Sequence, residues 1–331
     1  MPHTLLIIRF SAMGDVAMTV PVVRSVALAN PDISIIMLTR NRMAPMFSWM
    51  PNNVKVMGIN LNDYKGMAGL ERLYRELSKE HIDAVADLHD VLRTKYIRTR
   101  FRMNGVPVKV INKGRKDKKA LIGHSLDHAP LMPMMERYRD VFRRLSLKMH
   151  DDGAMSVTGQ AIPQSEKEGI GIAPFAAHHG KVYPLDEMRK VVDMLADAGN
   201  KVYLFGSPGK EAEILSQWQR NGVESVAGKM GGLKEELELM SRLKLMISMD
   251  SSNMHMAAMM GTQTISVWGA THPKAGFMAW NQTEDSAVQI PMKCRPCSIY
   301  GNKPCHEGNY PCLSCITPQM IVNKARLYGA K

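Results

Sequence analysis

The sequence predicts an α/β protein of two doubly wound domains, each a parallel sheet with helices on both faces. Short apolar runs alternate with longer stretches of helical periodicity, the pattern of strands buried between helices. Two such series flank "HDDGAMSVTGQAIPQSEKEG", residues 150–169, whose Gly, Pro, Ser and charged residues have the composition of a linker. A chain of 331 residues, 45% of them apolar, is long enough to build two cores. The expected domains are residues 1–155 and 165–331.

The first series places strands at Leu5–Phe10, Ile33–Leu38, Val54–Ile59, Ala84–Leu88 and Val106–Ile111. A helical stretch, "PLMPMMERYRDVFRRLSL", follows them. The second series has strands at Ile170–Phe175, Val202–Phe205, Leu245–Met249 and Thr264–Trp268, with a weaker candidate at Ser225. Between them, "PLDEMRKVVDMLADAG" and "KEAEILSQWQRNG" end at Gly or Asn-Gly, as helices do. The 28 methionines are read as core filler. No segment reaches the ~18 consecutive apolar residues that span a bilayer, and "LLII" is too short for the apolar centre of a signal peptide. The expected setting is therefore soluble and cytoplasmic.

The net charge of +12 is concentrated. Between Arg93 and Lys119 stand eleven Lys or Arg and one acid, Asp117, leaving 32 basic and 30 acidic residues for the rest of the chain. A patch of this kind suits a polyanionic partner: nucleic acid, an anionic membrane surface or a phosphorylated glycan. A solvated face without a partner accounts for it as well.

Ligands of open parallel sheets sit beyond the carboxyl ends of the strands, so the strand exits are the places to search. The first exit is Arg9-Phe10-Ser11-Ala12-Met13-Gly14-Asp15. Gly14 permits a tight turn, and Asp15 opens a helix, where a carboxylate meets the positive end of the dipole. A helix cap with Arg9 as its charge partner accounts for Asp15 without any chemistry. In the second half the exits are "AAHHGKVYPLDEM", "GSPGKEAE", "DSSNMHMAAMMGT" and "GATHPKAG". Each brings Gly, a small residue or a hydroxyl to a helix start, where backbone N–H groups bind phosphate. Several together would hold a diphosphate, with Lys181 as the cation that neutralises a phosphate leaving group. "GSPGK" lacks the spacing and the final Ser or Thr of a P-loop, and no Gly-rich dinucleotide fingerprint follows a strand. These absences exclude a P-loop NTPase and an ordinary NAD enzyme.

"IRFSAMGDVAMTVPVV", "GKVYPLDEM", "DSSNMHMAAMMGTQTISVWGATHP" and "CRPCSIYGNKPCHEGNYPCLSCITPQMI" together resemble glycosyltransferase family nine, the ADP-heptose:lipopolysaccharide heptosyltransferases. The motifs run in family order from residue 5 to about residue 320. The resemblance implies a GT-B fold, with two Rossmann-like domains facing a central cleft. The acceptor would sit on the N-terminal domain and the sugar nucleotide on the C-terminal one. It implies that Asp15 is the base facing the acceptor hydroxyl, and that transfer is inverting and metal-independent, with Lys181 and backbone amides carrying the charge of the departing diphosphate. It places Asp250, Ser251, Ser252 and His255 around the sugar nucleotide, with Gly206 and Glu211 of the "GSPGKE" exit beside the ribose or sugar. Arg9, Ser11, Arg93 and Lys95 are the expected acceptor contacts. The implied partners are a nucleotide-sugar donor, a lipid A-core acceptor and the anionic inner face of the inner membrane, with peripheral attachment there and no nucleic acid. Ser252 stands where many members have Gly, and Ala176 and Ala177 stand where hydroxyl residues are common. Phosphate contacts then fall to backbone amides or to His178 and His179.

All five cysteines lie late in the chain: Cys294, Cys297, Cys305, Cys312 and Cys315. The two C-x-x-C pairs look like a zinc ribbon, with Cys294, Cys297, Cys312 and Cys315 as ligands of a structural zinc. Reduced thiols without metal are the other reading, since such tails occur in the resembling family without an established metal. Two further functions stand beside transfer: a GT-B relative that hydrolyses or epimerises a sugar nucleotide, and a zinc-containing basic nucleic-acid binder. The second leaves the strand exits unexplained and is short of aromatic residues for base stacking, which make up 6% of the chain.

Overall fold

The structure is a computed structural model that describes residues 2–123, 129–150, 156–160 and 162–331. The chain divides into two compact units, Met1–Lys113 with Met134–Gly159, and Gly114–Pro133 with Gln160–Lys331. Residues 151–155 and 161 of the expected linker lie outside the described residues. Residues 114–133 belong to the second unit although the sequence places them within the first series.

In the first unit the strands are β1 (Thr4–Ile8), β2 (Ser34–Arg40), β3 (Val54–Ile59), β4 (Ala84–Asp87) and β5 (Val108–Val110). They form one parallel sheet in the order β3-β2-β1-β4-β5. Alternate residues point to opposite faces. Leu6 and Ile8 of β1 join Ile36 and Leu38 of β2 in a core with residues of α2 (Gly66–Ser78) and α3 (Leu92–Met103). The buried residues of α2, Gly69, Leu70, Leu73, Tyr74 and Leu77, follow the spacing of a single helix face. α1 (Met13–Ala29) is different: Val16 to Val23 are all buried, as in a helix enclosed on every side.

The basic α4 (Arg115–Leu121) belongs to the second unit, and α5 (Met134–Arg143) packs on α1 in the first. The second unit continues with β6 (Ile170–Ala173), α6 (Leu185–Asp197), β7 (Val202–Leu204), α7 (Lys210–Ser216), β8 (Val223–Ser225), α8 (Leu233–Arg242), β9 (Leu245–Met249), α9 (Ser252–Met259), β10 (Gln263–Val267), β11 (Ala287–Val288), α10 (Pro311–Ser314) and α11 (Pro318–Leu327). Its parallel sheet has the order β11-β10-β9-β6-β7-β8. α11 returns to pack on α6, and Ile321, Val322 and Ala325 share a core with Val191, Val192 and Leu195.

Each sheet has one place where the chain order reverses direction. In the first it lies between β1 and β4; in the second, between β6 and β9. Loops leaving two adjacent strands at such a point diverge to opposite faces and leave a crevice for ligand. The exits that matter are therefore residues 9–15 and 88–91 in one unit, and residues 174–181 and 250–252 in the other. No helix among the described residues is long and apolar enough to cross a membrane.

Candidate active site

Asp15 is the third residue of α1, one turn inside the helix start; the cap position is Ala12. Its Oδ2 accepts the Ala12 N–H at 3.3 Å, so the carboxylate closes the helix start from within rather than from the cap. The same oxygen pairs with Arg9 Nη2 at 2.7 Å, and Oδ1 accepts the Tyr138 hydroxyl at 3.4 Å. Arg9 is buried, donates from Nη1 to the Leu88 carbonyl at 2.5 Å and lies 5.7 Å from the centre of the Tyr138 ring. Asp15 keeps 26% of its side chain exposed. Its carboxylate is thus held in one orientation while still reachable from solvent.

The neighbouring β4 exit supplies His89, which the sequence reading passed over. The signal was available: "DLHD" places a histidine directly behind a buried strand. His89 is 7% exposed, its Nδ1 accepts the Phe10 N–H at 3.4 Å, and its Nε2 lies 3.2 Å from Ser11 Oγ. With Nδ1 accepting, Nε2 carries the proton and donates to Ser11 Oγ. Burial, helped by the Arg9 and Lys113 charges, pushes the imidazole down to about 3. It stays neutral at pH 7 and leaves the Ser11 hydroxyl hydrogen free to donate elsewhere. Asp87, fully buried, braces this exit by accepting the His89 and Asp90 N–H groups at 2.9 Å and Arg98 at 2.6 Å.

A pH dependence follows. An unfolded histidine titrates near ~6.5, so below that pH the unfolded chain binds a proton that the folded His89 refuses. Stability from this residue is complete above ~6.5 and is lost on acidification toward about 3, at up to ~1.4 kcal/mol per pH unit. Urea unfolding at pH 7 and pH 5 should show this loss, and His89→Gln should remove that share of the slope. An unchanged slope in the variant would contradict the assignment.

Arg93 and Lys95 are exposed at the start of α3. Burial lowers the Arg40 pKa, and the Arg42 and Arg93 charges lower it further, so three guanidinium groups crowd around the β2 exit. Other members of the basic window are spent internally: Arg98 on Asp87 and Asp90, Arg100 on Glu71. Lys118 is buried, with its ammonium 4.3 Å from the centre of the Phe277 ring.

In the second unit Lys181 closes a short helical turn, His179–Lys181, after β6. Its Nζ pairs with Asp250 Oδ2 at 3.0 Å, and the Thr271 hydroxyl donates to the same oxygen at 2.8 Å. Lys181 is 17% exposed and Asp250 7%. The β6, β9 and β10 exits thus meet in one ion pair, and Thr271 is a member that the sequence reading missed. Ser251 caps α9 by position, but its hydroxyl contacts Ser248 Oγ at 3.1 Å. Ser252 opens the helix half-exposed, and His255 lies buried one turn further on. Glu211 folds back on its own loop, accepting the Ser207 N–H at 2.6 Å, and its side chain packs near Gly206. His178 and His179 are exposed.

A model of glycosyltransferase family 9 (heptosyltransferase) matches residues 70–310. The chain belongs to this family. It is similar to lipopolysaccharide heptosyltransferase 1 of Escherichia coli (strain K12), 23% identical over 284 residues that cover 81% of this chain and 88% of that one. Among solved structures, E. coli heptosyltransferase WaaC with ADP aligns at TM-score 0.71 and 19% identity, over 98% of this chain and 100% of the other. A family 9 glycosyl transferase from Veillonella parvula aligns at TM-score 0.74 and 17% identity, over 98% and 97%. These structures bear out the expected α/β, GT-B fold with two parallel sheets.

The cysteines of this family 9 glycosyltransferase are all free thiols. Cys312 is buried, and desolvation pushes its thiol up to about 11; burial raises Cys297 as well. Cys294, Cys297 and Cys305 act electrostatically on Cys312, and Cys315 is exposed. Among the described residues no group of three or more His, Cys, Asp or Glu side chains is arranged to hold a metal ion.

Proposed function

We propose that this glycosyltransferase transfers a heptose from ADP-heptose to the inner core of lipopolysaccharide with inversion at the anomeric carbon. The observation that carries the reading is the state of Asp15: oriented by Arg9 and Tyr138, yet partly open to solvent. The acceptor hydroxyl gives its proton to Asp15 as its oxygen bonds to the anomeric carbon and the bond to the diphosphate breaks. One displacement with one carboxylate inverts the centre. Negative charge builds on the leaving diphosphate, and Lys181 with the free N–H groups at the start of α9 takes it up. Ser251, Ser252, His255, Gly206 and Glu211 border the donor at the same sheet end. No step requires a metal, because Lys181 supplies the positive charge.

On the acceptor side, Ser11, with its hydroxyl hydrogen freed by His89, and Arg93 and Lys95 meet an anionic saccharide. In the first unit the exposed Arg93, Lys95 and Arg102 of the basic window suit an anionic membrane surface at which a lipid-linked acceptor resides. That attraction weakens with salt.

The test is incubation with ADP-heptose and a core-truncated lipopolysaccharide, following ADP release and acceptor mass. ADP release that depends on the acceptor, with a heptose added to it, is the expected result. Release without acceptor would replace transfer by hydrolysis. No release from this donor would overturn the assignment of ADP-heptose.

A further inference from the structure

The loop between Cys294 and Gly301 has no part in the chemistry above, yet its last residue, Gly301, lies against the Lys181 turn. We propose that this loop is a positioning element for Lys181, with Gly301 as the surface on which the lysine stem lies and Arg295 as the clamp that fixes its surroundings. The inference rests on the reading of Lys181 as the cation that meets the diphosphate.

Gly301 has φ +74, and a Cβ placed there would overlap Lys181 Cγ and stand 2.8 Å from Cδ. Only a glycine leaves the stem its present course. The Gly301 carbonyl accepts the Gly180 N–H at 3.2 Å, one residue before Lys181. The Gly180 carbonyl in turn accepts the Ala270 N–H at 2.8 Å. Ala270 returns to the loop, its carbonyl accepting the N–H groups of Cys297 at 3.1 Å and Ser298 at 3.3 Å. Ser298 Oγ then holds the end of the loop by accepting the Gly301 N–H at 3.0 Å.

Arg295 is 1% exposed, with donors directed at the residues on either side of Ala270. Nε donates to the Gly269 carbonyl at 2.5 Å and Nη2 to the Thr271 carbonyl at 2.9 Å, while Nη1 reaches Ile290 at 2.6 Å. Thr271 is the residue whose hydroxyl holds Asp250, the partner of the Lys181 ammonium. The loop therefore governs both ends of the side chain: the stem through Gly301, the head through Arg295, Thr271 and Asp250. A lysine held this way meets the developing charge without first losing rotamer freedom, and a displacement of about 1 Å can cost ~10²-fold in rate.

The experiment uses the full chain and the transfer assay. Gly301→Ala is expected to lower kcat by ~10- to 100-fold, with donor KM within ~3-fold. Gly308→Ala is the control: that glycine has φ +86 in the same tail with open space around it, so it carries the backbone strain without the lysine contact. In a Lys181→Met background, Gly301→Ala should change the residual rate by less than ~2-fold, since both substitutions act on one group. Ser298→Ala, which frees the end of the loop without strain, should lower kcat by ~3- to 10-fold and lose that effect in the same background; it serves if Gly301→Ala fails to fold. A Gly301→Ala rate equal to that of Gly308→Ala, or the same factor repeated without Lys181, would overturn the proposal. A parental rate for Lys181→Met would instead overturn the role of Lys181 itself.

Discussion

Asp15→Asn is expected to lower kcat by ~10²- to 10⁴-fold, the range that a positioned general base supplies, while donor binding stays near the parental value. The substitution is nearly isosteric, and the remaining amide oxygen can still accept the Ala12 N–H that the carboxylate accepts at 3.3 Å. It cannot take a proton from the acceptor. It also deprives Arg9, 4% exposed, of its counter-charge, leaving the guanidinium hydrogen bonds to the neutral amide oxygen and to the Leu88 carbonyl. A drop in melting temperature is therefore expected alongside the kinetic loss, and the two must be separated. Arg9→Met does so. It removes the cation but leaves the carboxylate, so it should cost stability as well but lose only the orientation of Asp15, with a smaller fall in kcat. If Asp15→Asn retained kcat within ~3-fold while Arg9→Met lost more, Asp15 would be a structural partner of Arg9 and not the base.

The positions of Asp15 and Lys181 were legible because strand exits can be found from periodicity alone. β3 and β9 were legible to the residue, each an apolar run with a polar or Gly-containing turn at its end. β11, Ala287–Val288, was invisible: two residues in a polar stretch have no period to read. The assignment of residues 114–133 to the second unit was equally hidden. A helix with the sequence "RKDKKAL" reads as a solvated face, and nothing local says that Lys118 is buried against Phe277, far along the chain. The partners of Asp15 divide in the same way. Arg9 stands six residues away and suggested itself, whereas Tyr138 reaches Asp15 from α5, 123 residues on. In the cysteine-rich tail the conspicuous spacing drew attention to the thiols, but the residue with the most internal bonds is the arginine between them. A buried guanidinium must have its donors met, and three of the carbonyls that meet those of Arg295, from Trp268, Gly269 and Thr271, come from β10's exit while that of Ile290 follows β11, a convergence that sequence spacing does not reveal.

Lys181→Met, alone and combined with Asp250→Asn, should separate catalysis from stability most clearly. Removing a fixed charge from a leaving diphosphate is expected to reduce kcat by ~10²- to 10³-fold, as with the loss of one donor to a developing anion. Methionine keeps the apolar stem against Gly301, so the loss is of charge rather than packing. The structural consequence falls on Asp250, which is 7% exposed and would lose its cation. Breaking a buried pair on one side costs ~3–5 kcal/mol, with the Thr271 hydroxyl, still donating at 2.8 Å, offsetting part of it. Lys181→Met with Asp250→Asn removes the stranded charge and should recover most of the stability while the rate stays low. Asp250→Asn alone should keep the Thr271 contact and free the ammonium, giving a smaller fall in kcat than Lys181→Met. Electrostatics sets this order: a carboxylate at a diphosphate site is repelled unless a cation stands between the two anions. Were the double variant to regain activity along with stability, Lys181 would be only the counter-ion of Asp250, and the charge on the leaving group would have to be met by backbone amides alone.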